Sequence, residues 1–186
     1  MSEKTFIIIT VDTETDYING RVIPISKMIY GEIGNKRYGI TKIMDVCEAY
    51  GVKATFFVST FESELLGEEQ IRNICKDISS RGHDVQLHTH PKWATGKRSM
   101  SDHSYAEQTM MLVKEKSKLE KWIGKSIIAH RAGSFGADNN TLCALSKANI
   151  AIDSSSIGSK YCKLDTNFFK KNIVTVSKEG VIQLPV

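Results

Sequence analysis

Apolar positions along the chain change period several times. Thr5 to Val11 (TFIIITV) is a β-branched run bounded by polar residues, the pattern of a strand buried on both faces of a parallel sheet. Lys53 to Ser59 (KATFFVS), His83 to Leu87 (HDVQL), Ser126 to His130 (SIIAH) and Ile150 to Ile152 read as further strands, and Ile173 to Val176 and Val181 to Leu184 as two short ones. Between them the period becomes helical. Ile40, Ile43, Met44, Val46 and Cys47 share one stripe of Ile40 to Tyr50, with Gly51 as a stop. Ile71, Ile74, Cys75 and Ile78 do the same in Glu68 to Arg81, whose acids crowd the first turn as the macrodipole favours. Tyr105 to Ile123 is the longest helical pattern, and Asp138 opens a helix to Ala148 with Leu142, Cys143 and Leu145 facing inward. Asp12 to Tyr38 has scattered glycines, a proline and no sustained period, so it is expected to be a long loop of the kind that carries function.

Strands alternating with helices predict right-handed βαβ units on a parallel sheet or barrel. A full barrel of this type has about eight strands and 200 or more residues. Seven strand candidates in 186 residues therefore predict an incomplete barrel forming one domain over residues 1–186. Composition narrows the class without naming it. A hydrophobic share of 41%, a charged share of 25% and a net charge of +4 exclude disordered, collagen-like and coiled-coil chains, and no dense basic run points to nucleic acid. The four cysteines stand singly at Cys47, Cys75, Cys143 and Cys162 and read as small buried hydrophobes. Neither a signal-peptide pattern nor a membrane span is visible, so the expected location is cytoplasmic; oligomeric state is not legible.

The chemistry gathers at strand ends, where parallel α/β folds collect their functional groups. Asp12, Glu14 and Asp16 (VDTETD) follow the first strand, and in extended chain residues two apart point one way. They are either a solvated acidic turn or carboxylates aimed at one spot. His88 and His90 (LHTHPKW) end the third strand at the same spacing, as satisfied core histidines or as two ligands of one cation. A carboxylate with two imidazoles, leaving a position open, is a catalytic metal set. Arg131 (AHRAGSFG) ends the fourth strand and needs an anion, which Asp12 can supply, while nearby glycines permit close approach. If Arg131 faces inward, His130 faces the helices and is structural.

In this order VDTETD, GHDVQLHTHPKW, HRAGSFGAD and AIDSSS resemble the motifs of the polysaccharide deacetylases, the NodB-like carbohydrate esterases, over Phe6 to about Ser156. That resemblance implies a distorted, incomplete (β/α) barrel and a metal-dependent hydrolase that removes N-acetyl groups from an amino sugar or polysaccharide. It makes Asp12 the catalytic base, Glu14, His88 and His90 the ligands of a divalent ion taken as zinc, Arg131 the residue that orients the base, and Asp153 the support of that arginine. Trp93 and Tyr17 are candidates to stack on a sugar ring. The chain departs from the family in three places: Glu14 stands one residue further from Asp12 than usual, Lys92 occupies the usual second histidine position, and no histidine follows His130 as general acid. The last departure implies a chain lacking its C-terminal part and weak turnover. Two alternatives stay open, a catalytically impaired metal- or sugar-binding domain and a metal hydrolase acting on a small cyclic amide.

Overall fold

The computed structural model describes residues 6–157, 161–164 and 174–186. Its main sheet has seven strands: β1 (Thr10–Thr13), β2 (Thr55–Ser59), β3 (Asp84–Thr89), β4 (Ala129–Ala132), β5 (Ile152–Asp153), β6 (Thr175–Val176) and β7 (Ile182–Gln183). Their order is β1-β2-β3-β4-β5-β7-β6, parallel except for the β6–β7 pair. Among the described residues nothing pairs with the free edge of β1. The architecture is thus the mixed α/β, largely parallel sheet expected of an incomplete barrel. Residues 158–160, 165–173 and 1–5 lie outside the described residues, and with them Thr5 and Ile173 of the expected first and sixth strands.

Four long helices cover one face of the sheet: α1 (Ile40–Ala49), α2 (Glu68–Ser80), α3 (Tyr105–Ile123) and α4 (Asn139–Lys147). Each begins and ends where its local chemistry allows. Ser104 caps α3 by accepting from Glu107 N–H while the Glu107 carboxylate accepts from Ser104 N–H, and Gly124 closes it with φ 67°, a left-handed turn that costs glycine little. Asp138 caps α4 in the same reciprocal way with Thr141. Ile71, Ile74, Cys75 and Ile78 of α2 and Leu112, Leu119 and Trp122 of α3 pack with Phe56, Val58, Val85 and Leu87, the helix-facing residues of β2 and β3. Full burial of each such aliphatic or aromatic side chain contributes roughly 1.5–3 kcal/mol. The alternate residues Phe57, Ser59, Gln86 and His88 must then face the inside.

Two expectations fail. The run Phe6–Ile9 is not buried: Phe6 is 83% and Ile7 89% exposed, because β1 starts only at Thr10 and lies at the sheet edge. The segment Asp12–Tyr38 is not a plain loop either. It folds into the hairpins Tyr17–Ile18/Arg21–Val22 and Glu32–Ile33/Lys36–Arg37 around a short helix, Ile25–Met28. The first hairpin turns on Asn19 and Gly20, both at positive φ, the asparagine–glycine pair that two-residue hairpins prefer. All four cysteines are free, and no helix among the described residues is long and apolar enough to cross a membrane.

Candidate metal and catalytic site

Parallel register lines up the chemistry. Ser59 of β2 lies opposite His88 of β3, and His88 lies opposite Arg131 of β4, so three strand ends present their inward side chains in one row. Asp12 of β1 is in register with Phe57. Arg131 reaches across this row. Its Nη1 donates to Asp12 Oδ1 at 2.7 Å, its Nη2 to Thr10 Oγ1 at 3.0 Å and Ser154 Oγ at 2.9 Å, and its Nε to the Ser154 carbonyl at 3.1 Å. The guanidinium sits 4.4 Å from the centre of the Phe57 ring. With four of its five N–H groups engaged, Arg131 is fixed and Asp12 is aimed, its other oxygen left for the cavity.

Just past β1, Glu14 brings its carboxylate against both histidines. His88 Nε2 is 3.4 Å from Glu14 Oε2 and 3.1 Å from His90 Nε2, and His90 Nε2 also contacts Glu14 Oε2. The ligand atoms of these three side chains all lie within 4.8 Å of one another, and both imidazoles are buried. The tautomer of His88 follows from its surroundings. Its Nδ1 lies 2.8 Å from the Arg131 carbonyl, which can only accept, so Nδ1 carries the hydrogen and Nε2 presents a lone pair. Two imidazole nitrogens and a carboxylate oxygen converging on one point match the donor set of a divalent cation. Burial acts to raise the Glu14 pKa, but the His88 and His90 rings packed against it outweigh burial and hold the carboxyl far below its usual range. Burial acts to lower the His88 pKa, yet Glu14 and Asp12 raise it; for His90 burial wins and the pKa falls.

The loop after β4 is shaped around this triad. A Cβ on Gly133 would lie 2.5 Å from His90 Cε1 and 2.6 Å from the Thr89 carbonyl, so only glycine lets the His90 ring sit there. Ser134 and Phe135 follow at φ 54° and 55°, sparsely populated for side-chain-bearing residues, and both line the cavity. That cavity, of about 500 Å³, is bounded by Asp12, Glu14, Asp16, His88, His90, Lys92, Gly96 and Arg98 as well.

Several expected residues stand elsewhere. Asp153 does not support Arg131. It is in register with His130, hence on the helix-facing side, where its Oδ1 meets His130 Nδ1 at 2.9 Å and accepts from Ser155 Oγ at 2.7 Å. The arginine takes Ser154 instead. His130 is fully buried, with Nε2 3.0 Å from Thr89 Oγ1, so it belongs to the scaffold as expected of a helix-facing residue, and it lies outside the cavity. Tyr17 and Trp93 stack on each other, ring centres 4.6 Å apart, and neither lines the cavity, because the Asn19–Gly20 hairpin lays Tyr17 over the indole. Asp16 turns from the carboxylate cluster to Lys92 Nζ, 2.8 Å away.

Sequence reasoning did not single out Lys92, Arg98, Ser134 or Phe135, which line the cavity; their signal in the chain was nearness to His90 and Arg131. It also missed Glu62, 1% exposed just after β2, whose two carboxylate oxygens are buried without a hydrogen-bond partner among the described residues. Burial pushes its pKa up to about 7.

The largely parallel α/β sheet thus carries, at the carboxyl ends of its strands, a triad of Glu14, His88 and His90 that could hold a metal ion. A family model described as polysaccharide deacetylase matches residues 32–152, more than half of the chain, and the chain belongs to the polysaccharide deacetylase family. The matched span contains His88, His90 and Arg131 but starts after Glu14 and stops before Asp153. No curated protein is similar enough to match. Solved structures are similar in fold. A protein of Mycobacterium smegmatis classed as a polysaccharide deacetylase superposes with a TM-score of 0.65 at 15% identity, over 96% of this chain and 57% of that one. A mutant of BA3943, a carbohydrate esterase family 4 pseudoenzyme with restored activity, gives 0.55 at 16% identity over 78% and 43%. The peptidoglycan N-acetylglucosamine deacetylase Bc1960 gives 0.53 at 22% identity over 78% and 54%. The chain thus spans about half the length of these structures.

Proposed function

We propose that the protein is a metal-dependent deacetylase that hydrolyses the N-acetyl amide of an amino sugar. The observation that carries this reading is the convergence of Glu14, His88 and His90 within 4.8 Å beside an Asp12 carboxylate held by Arg131. Glu14, His88 and His90 would hold a divalent ion, for which two imidazoles favour zinc over magnesium or calcium. When bound, that ion supplies a Lewis acid for the amide carbonyl and lowers the pKa of a coordinated water.

The chain's own residues do the rest. Asp12 accepts the proton of the attacking water at the oxygen that Arg131 leaves free. Arg131 fixes where that oxygen points, and His88 is held in its ligating tautomer by the Arg131 carbonyl, so one residue orients both base and ligand. None of the other three histidines can serve as acid. His130 and His103 use both ring nitrogens in buried contacts, and His83 accepts from Ala54 N–H with its far side toward Glu48. Asp12, once protonated, is the group facing the cavity that can return the proton to the departing amine, and slow turnover is expected. The same shortfall favours a second reading, a domain that binds metal and sugar without turnover.

The test pairs metal content with acetate release from N-acetylglucosamine oligomers. Glu14→Ala and His88→Ala should each lose the metal that the wild type holds; equal metal in all three sinks the site. Asp12→Asn should retain the metal and cut acetate release by about a hundredfold or more. A metal-loaded wild type that releases no acetate leaves the binding domain as the function.

A further inference from the structure

Among the described residues, the cations that border or neighbour the cavity are matched by carboxylates, with one exception. Arg131 is paired with Asp12 at 2.7 Å and Lys92 with Asp16 at 2.8 Å. Lys97 and Lys163, close by in the fold, lie 3.8 Å from Glu107 and Asp102. Arg98 lines the cavity and has no carboxylate partner and no hydrogen bond among the described residues. Its guanidinium rests over the Tyr161 ring, 4.6 Å from the centre, a contact that uses the flat face and leaves the N–H edge free.

The backbone beneath it is fixed. Gly96 turns the chain at φ 76°, and Ser99, the next residue after Arg98, is buried. Ser99 accepts from Asp102 N–H through its carbonyl, and its own N–H and Oγ donate to the Asp102 carboxylate at 2.9 and 3.0 Å. The Gly136 carbonyl accepts from Ser101 N–H at 3.0 Å. A fork on an anchored backbone, stacked on a ring, loses little freedom on binding.

Charge points the same way. Asp12, Glu14 and Asp16 are offset by Arg131, Lys92 and Arg98, and a divalent ion would leave the cavity with a surplus of about +2. We infer that Arg98 selects an N-acylated sugar that also bears an anionic substituent, a carboxylate or phosphate, gripped by its free guanidinium edge. The inference rests on the reading of the cavity as a site for N-acylated sugars.

The experiment uses the metal-loaded full chain and three probes: N-acetylglucosamine, N-acetylglucosamine 6-phosphate and a 2-acetamido-2-deoxy uronic acid. Affinity is measured by calorimetry and acetate release alongside. At least one anionic sugar should bind about 10–100-fold more tightly than the neutral one, the worth of a charge-assisted pair. Which of the two gains identifies the substituent. That preference should vanish in Arg98→Gln, return in part in Arg98→Lys, and persist in Lys97→Gln. Equal affinities for all three sugars in the wild type, or a preference that survives Arg98→Gln, overturns the inference. Acetate release without an Arg98-dependent preference defeats the inference and leaves the deacetylase reading standing. An Arg98-dependent preference without acetate release does the reverse.

Discussion

His130 and Arg131 are neighbours in β4, yet they belong to two different polar systems. On the helix-facing side His130, Asp153, Thr89 and Ser155 form a closed set whose side-chain contacts run from 2.7 to 3.3 Å, and all four residues are fully buried. On the inner side the set is open. Arg131 holds Asp12 by one oxygen, but the Nε2 atoms of His88 and His90 and the Glu14 carboxylate crowd within 4.8 Å of one another, and both Glu62 oxygens are unpaired among the described residues. A buried unpaired polar group costs roughly 1–3 kcal/mol, so the inner arrangement is retained against stability. Completed networks hold a scaffold; incomplete ones mark where a ligand is expected.

Three experiments sharpen that contrast. Removing the closed set should hurt folding alone: His130→Ala leaves the Asp153 carboxylate buried without its imidazole, and a loss of about 3–5 kcal/mol is expected in denaturant unfolding, with metal content per folded molecule unchanged. If metal binding fell with it while stability held, the two sides would not be separate.

The open set should instead reveal itself through pH. The Glu62 pKa is raised from 4.5 to about 7, so the folded state holds this proton more tightly than the unfolded chain, and stability falls as pH climbs from about 4.5 to 7. Wild type is expected to lose about 2–3 kcal/mol more than Glu62→Gln between pH 5 and pH 8, since the amide cannot ionise. Parallel pH profiles for the two proteins would mean that Glu62 finds a partner in solution.

The smallest effect concerns ligand position. Gly133→Ala places a methyl group against His90 and the Thr89 carbonyl, so the thermal midpoint should fall, and metal affinity per folded molecule should drop about tenfold, at the lower end of what displaced support costs. Unaltered affinity would show that His90 is not a ligand.

Much of the site could be read from the chain because it is local. Asp12 and Glu14, like His88 and His90, are two residues apart at strand ends, and period-two geometry alone aims each pair one way. Helices α1 to α4 were legible for the same reason: the apolar stripe lies within one segment, as do the glycine stops of α1 to α3 and the Asp138 cap of α4. The strand Phe6–Ile9 was not, because a β-branched run states a preference for burial but not whether a neighbouring strand exists to provide it. The hairpin at Asn19–Gly20 does have a signal in the chain, an asparagine–glycine pair suited to positive φ.

Pairing across strands was decided elsewhere. Whether Asp153 meets Arg131 or His130 depends on the register of β5 against β4, and a shift of one residue would have reversed it. Tyr17 against Trp93, Arg98 over Tyr161 and the isolation of Glu62 bring together residues from different segments of the chain. The amino-acid sequence by itself determined the periodic elements and the donors grouped within two or three residues, because these follow from backbone geometry and side-chain chemistry. Only the tertiary structure decided which buried charges are matched and which are left over, since matching depends on register and packing among segments that local preferences do not encode.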